Sequence, residues 1–283
     1  MISAFGRSSF SLMLEIKNLA AKSILTPSKL PDADYVINPY TGCRFGCTYC
    51  YASFMGRYVG KEIGDWGEYV YIKKDAAELL KKDLSTLKDK GKDKSIFLSS
   101  VTDPYQGLEA KHKLTRACLQ VLLDFGFDGL LSILTKSDLV LRDIDLLKKF
   151  KYVEVGLTVT STDDEISKYF EKYAPAASKR LKALKDLNEV GVNTYAFVGP
   201  LLPHFVSKPK SLDKIFKAIA DTGTKEIYVE HINLSKYILD RLRAEMPDLD
   251  KDILDKFYFV STAGGAMLDY LANGTLPGIE ALG

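Results

Sequence analysis

The sequence predicts an α/β fold, a partial (β/α)6 TIM-like barrel of parallel strands, and two observations carry that prediction. Six short apolar runs rich in β-branched residues recur along the chain, and between them lie segments whose apolar residues return every three or four positions. Strands joined by crossover helices run parallel, and units this regular argue for one curved sheet rather than two unrelated domains. A chain of 283 residues with 46% hydrophobic residues is long enough to bury one such core. The expectation is a single domain over residues 1–283, with its core at about 35–233 and an extension at each end.

The strands are read at Tyr35–Tyr40, Ser95–Val101, Leu130–Thr135, Tyr152–Thr160, Asn193–Gly199 and Glu226–Asn233. The helical segments are Asp75–Lys88, Leu114–Phe125, Arg142–Phe150, Asp163–Val190, Ser211–Thr222 and Lys236–Ala244. In the fourth of these, Leu181, Leu184 and Leu187 share a face, and Gly191 stands where a helix C-cap belongs. A closed eight-stranded barrel needs two more units, and the tail offers one further strand near Phe257–Ser261, so the barrel is expected to be open. Parallel α/β folds place their ligands at the carboxyl ends of the strands. Here those ends are polar: Ser99, Thr102, Asp103, Lys136, Thr158, Thr160, Glu230 and Asn233.

The 39 basic residues against 37 acidic ones leave a formal charge of +2, which supplies no chain-wide attraction for nucleic acid or acidic membranes. A local basic patch stays open, although the mixed-sign run from Lys81 to Lys94 reads as a solvated face. No stretch approaches the roughly 18 consecutive apolar residues of a membrane span, and the start lacks a signal-peptide pattern, so a cytoplasmic protein without a membrane partner is expected. His112, His204 and His231 are too scattered in sequence for a His-based metal motif.

The densest chemical signal is NPYTGCRFGCTYCYA, residues 38–52, with cysteines spaced CxxxCxxC directly after the first predicted strand. Three cysteines crowded into eight residues, with no export signal, fit metal ligation better than disulfides. A structural zinc site asks for four ligands, and the fourth cysteine, Cys118, lies 68 residues beyond Cys50 inside the apolar helical run LTRACLQVLL. There a buried thiol behaves as a small hydrophobe. Three clustered thiolates leave one metal position open to an outside ligand.

The motif, with an aromatic before its last cysteine, resembles the radical S-adenosylmethionine (radical SAM) superfamily. SSVTDPYQGLE, LTRACL, ILTKS, LRDIDLL, APAASKRLKALKDLNEVG and VGPLLPH look like further blocks of its spore photoproduct lyase-related branch, across roughly residues 22–204. The resemblance implies a partial barrel in which Cys43, Cys47 and Cys50 bind three irons of a 4Fe-4S cluster. The fourth iron would take the methionine end of S-adenosylmethionine, whose reductive cleavage yields a 5′-deoxyadenosyl radical that abstracts hydrogen from a substrate. It also implies a reducing partner of flavodoxin or ferredoxin type.

On the same resemblance Tyr49 packs near the adenine, or simply beneath the loop. Ser99, Thr102 and Asp103 accept from the methionine amino group, although Asp103–Pro104 also fits a turn. Lys136 meets the ribose or carboxylate, Thr158 lines the cofactor site, and Arg180 pairs with the carboxylate or lies on the helix surface. Gly199 contacts adenine through its backbone or ends a strand. Gly42 and Gly46 let the loop bend. The DNA-repairing relative returns hydrogen from a cysteine where this chain carries Ser100, and a serine O–H bond is too strong for that, so lesion repair is disfavoured. The chain has no further cysteine cluster, so one iron–sulfur cluster is expected. Two alternatives stay open: a lyase acting on a DNA lesion, and a non-enzymatic iron–sulfur or zinc module.

Overall fold

A computed structural model describes residues 14–202, 209–233 and 235–245. Ten strands follow one another as β1 (Glu15–Asn18), β2 (Leu25–Pro27), β3 (Tyr35–Ile37), β4 (Tyr40–Thr41), β5 (Tyr69–Ile72), β6 (Ser95–Leu98), β7 (Leu130–Thr135), β8 (Val153–Thr158), β9 (Asn193–Leu201) and β10 (Glu226–His231). The helices are α1 (Ala76–Leu84), α2 (Glu109–His112), α3 (Leu114–Phe125), α4 (Ile144–Leu147), α5 (Asp164–Phe170), α6 (Ala177–Glu189), α7 (Pro209–Ala220) and α8 (Lys236–Glu245).

The six strands read from the sequence all form, and they lie side by side in chain order: β3, β6, β7, β8, β9 and β10 are parallel neighbours. The short β2 adds antiparallel to β3 at one edge, and among the described residues β10 ends the other and the two edges do not pair. The result is the open, partial barrel expected. Its register lines up Ile37, Leu98, Ile133 and Val155 across four strands, each with 0% exposure. Burying each such aliphatic side chain contributes about 1.5–3 kcal/mol. Leu119 and Leu122 of α3 and Ala183, Leu184 and Leu187 of α6 are buried in the same core.

The differences have local causes. The first predicted strand, Tyr35–Tyr40, breaks at Pro39, which lacks an N–H for the ladder. β3 stops at Ile37, and Tyr40–Thr41 joins a separate sheet of order β1-β5-β4. That sheet is centred on β5, whose four residues are all buried and which the sequence reading missed. β6 stops at Leu98 because Ser99 turns to φ +71°. The long helix expected over Asp163–Val190 is two helices, α5 and α6, parted around Pro175. Gly191, at φ +79°, ends the second as expected. The strand expected near Phe257–Ser261 lies outside the described residues. Among those residues no helix is long and apolar enough to cross a membrane.

Candidate active site

Because the six strands run parallel, their carboxyl ends share one rim of the sheet, and the cysteine loop starts at that rim beyond β3 and β4. Two glycines shape the loop. Gly42 has φ +86°, and a Cβ there would stand 2.5 Å from the Tyr69 carbonyl oxygen. Gly46 has φ +60° and packs on Gly67, where an added Cβ would come within 2.7 Å of the Gly46 Cα. The loop backbone then closes on itself, with the Gly46 amide donating to Cys43 O at 3.3 Å and the Cys50 amide to Cys47 O at 3.1 Å.

Distant elements fasten it. Thr102 Oγ1 donates to Gly42 O at 2.6 Å, and Gln106 reaches the same carbonyl while accepting from the Arg44 amide at 2.8 Å. Arg44 donates to Gly67 O at 2.6 Å and lies 3.7 Å from the centre of the Tyr173 ring. The Thr48 amide donates to Phe170 O, at the end of α5. From α8, Arg241 donates to Cys47 O at 3.3 Å and the Tyr237 hydroxyl to Tyr51 O at 3.0 Å.

All four cysteines are free thiols. Cys43 and Cys47 are buried and Cys50 half-buried. Burial raises all three thiols, Cys47 to about 12, so without a metal they are neutral. A bound cation inverts that logic and makes them thiolates. Among the described residues no three Cys, His, Asp or Glu side chains converge as the ligands of one ion do. A cubane asks for something else, since each thiolate bonds a different iron. Cys118 is fully buried in α3 within the apolar core, burial raising its thiol to about 12. The donor set on the loop is therefore three sulfurs, which suits a cluster with one open iron.

Behind the thiols lies a buried charged network. Tyr49 and Arg180 both donate to Glu171, which also accepts from Thr160 at 3.1 Å and Ser167 at 3.3 Å. Arg180 has 0% exposure and its other donors go to the Pro175 and Thr158 carbonyls. Burial alone would raise the Glu171 carboxyl, but Arg180 and Lys136 outweigh it and hold the group below its ordinary value. Burial opposes the charge on Lys136 as well, yet the ionised Glu171 nearby, joined by Cys47 whenever it is a thiolate, holds it above the usual lysine range. Its Nζ lies 5.8 Å from the centre of the Tyr49 ring. Asp103 accepts from Thr135 Oγ1 at 2.6 Å and from the Lys136 amide at 2.9 Å, and burial raises its carboxyl.

The sequence-chosen residues thus come together at one rim, with different tasks. Tyr49, Lys136 and Arg180 meet around Glu171. Asp103 ties the loop after β6 to the end of β7, and Thr102 holds the cysteine loop. Ser99 is buried at the turn that ends β6, and Thr158 ends β8 and offers its carbonyl to Arg180. Gly199 lies in β9, where a side chain would strike the Phe197 ring. Glu171 and Arg241 escaped sequence reading, because an acid at a helix break and a base in an ordinary amphipathic helix carry no spacing signal.

Comparison with known proteins agrees with this geometry. A model described as Radical SAM superfamily matches residues 37–209. An uncharacterized protein of Methanocaldococcus jannaschii is 43% identical over 68% of this chain and 70% of its own length. An uncharacterized protein of Mycobacterium tuberculosis is 28% identical over 73% of this chain and 62% of its own length. Among solved structures, a spore photoproduct lyase complexed with dinucleoside spore photoproduct shares the fold, with TM-score 0.61 at 17% identity, over 84% of this chain and 68% of that one. The three-cysteine loop at the rim of an open parallel barrel therefore sits inside the matched stretch, and the chain belongs to the radical SAM superfamily, enzymes that work with a 4Fe-4S cluster and S-adenosylmethionine.

Proposed function

We propose that Cys43, Cys47 and Cys50 hold three irons of a 4Fe-4S cluster and that the chain initiates radical chemistry on a substrate yet to be identified. A cluster held there would supply the one electron that reductive cleavage of S-adenosylmethionine to methionine and a 5′-deoxyadenosyl radical requires. The observation that carries this reading is the donor set: three free thiols gathered on a loop fastened by residues as distant as Thr102, Phe170 and Arg241, with Cys118 packed away in the core.

The surrounding residues support it. Lys136 offers a cation beside Cys47 and Tyr49, suited to the carboxylate or ribose of the cofactor. Ser99, Thr102, Asp103, Thr158 and Gly199 line the same rim. Arg180 acts through Glu171, holding that carboxylate charged and so fixing the Tyr49 hydroxyl. The substrate side of the rim is the β9–β10 end, where Glu230 and His231 stand. A low-potential donor of flavodoxin or ferredoxin type would supply the electron.

The test is anaerobic reconstitution with iron and sulfide, reduction with dithionite in the presence of S-adenosylmethionine, and chromatography for 5′-deoxyadenosine. Formation in the wild type, and none in Cys43→Ala, is expected. A fully loaded, reduced cluster that makes none would sink the reading.

A further inference from the structure

Of the four buried side-chain polar atoms that lack a hydrogen-bond partner among the described residues, three surround the cysteine loop: Ser53 Oγ, Tyr69 OH and Arg241 Nη2. Such atoms are costly to leave unpaired, a charged one most of all. Arg241 is the charged one. It is only 5% exposed, and its Nε pairs with Glu245 at 2.6 Å. Its Nη1 donates to Cys47 O at 3.3 Å. Nη2 is left over on the same fork, beside the loop that carries the three thiols.

We infer that Arg241 is the positioning cation of the cluster, its free Nη2 held for the sulfur side of the site so that its charge raises the cluster's reduction potential. The inference rests on the reading that the three thiols hold a cluster. It concerns a helix, α8, that lies beyond the stretch matched by the family model. The physical argument is a charge count. A cubane on three thiolates carries net negative charge, and reduction adds one more. A buried guanidinium favours the more negative state, because hydrogen bonds and nearby charge set cluster potentials. In a water-poor site that coupling is screened far less than at the surface.

The experiment is potentiometric titration of the reconstituted full chain, followed by electron paramagnetic resonance, after iron and sulfide have been counted. Arg241→Gln is expected to disfavour reduction at least tenfold, a midpoint lowered by about 59 mV for one electron. Arg241→Lys, which keeps the charge, is expected to stay closer to the wild type. Equal lowering in both variants would show a merely structural role and overturn the inference, as would an unmoved midpoint in a fully loaded Arg241→Gln. Should Arg241→Gln fail to fold, Glu245→Gln reads the same charge from the other side: removing the counter-ion is expected to raise the midpoint, and no change overturns the proposal. A wild type that takes up no four-iron cluster overturns the functional reading itself, which iron counting distinguishes from a loaded cluster with an unmoved midpoint.

Discussion

Glu171 is a carboxylate with 0% exposure that stays ionised because Arg180, Tyr49, Thr160 and Ser167 all donate to it. Removing one partner of a buried pair strands the other charge, which costs about 3–5 kcal/mol. Glu171→Gln should therefore lose that much in urea unfolding at neutral pH. The pH dependence has a definite sign. The folded carboxyl lies below its ordinary value of 4.5, so its contribution is complete above that value and fades as the pH falls through the folded pKa. The acid limb of the wild-type stability curve should flatten in Glu171→Gln. An acid limb identical in the two proteins would show that Glu171 is not charged in the fold. Cys118, packed in α3, makes a different prediction: Cys118→Ser buries an extra hydroxyl and costs about 1–3 kcal/mol while bound iron stays unchanged.

The cysteine loop depends on glycine at positions where two backbones touch. Gly42→Ala combines a left-handed φ with a 2.5 Å approach to a backbone oxygen, so the loop must move, and iron bound per chain should fall. Gly60→Ala is the matched control. Its φ is +69°, but nothing lies within 4 Å of the added carbon, so it should cost only about 1–2 kcal/mol and leave iron uptake intact. Equal iron in both variants would separate loop geometry from loading. What the sequence made legible follows the same division between local and distant. The CxxxCxxC spacing and the six strand runs are local patterns, and the rim, the loop and the open barrel could be read from them. The small sheet around β5 depends on contacts between remote segments, and the partners of Arg180 depend on how α6 packs against the loop before it. Arg180 was legible as a cation, but its destination, a buried acid nine residues earlier, was not.

Across the molecule, the segments at 43–53, 171–180 and 236–245 meet at one place. Cluster binding to this meeting point is binding to the folded state alone, so it adds stability by mass action. Anaerobically loaded protein should melt above the apoprotein, with slower amide exchange in all three segments. Exchange slowed in the loop alone would mean that α8 is not coupled to the site. The contact between Arg241 and Cys47 spans 194 positions of sequence. At a translation rate of about 5–20 residues per second, the thiols leave the ribosome roughly 10–40 seconds before the helix that caps them exists. Until then the Cys47 carbonyl lacks its Arg241 donor. The order of synthesis thus makes this contact one of the last that the described chain can form.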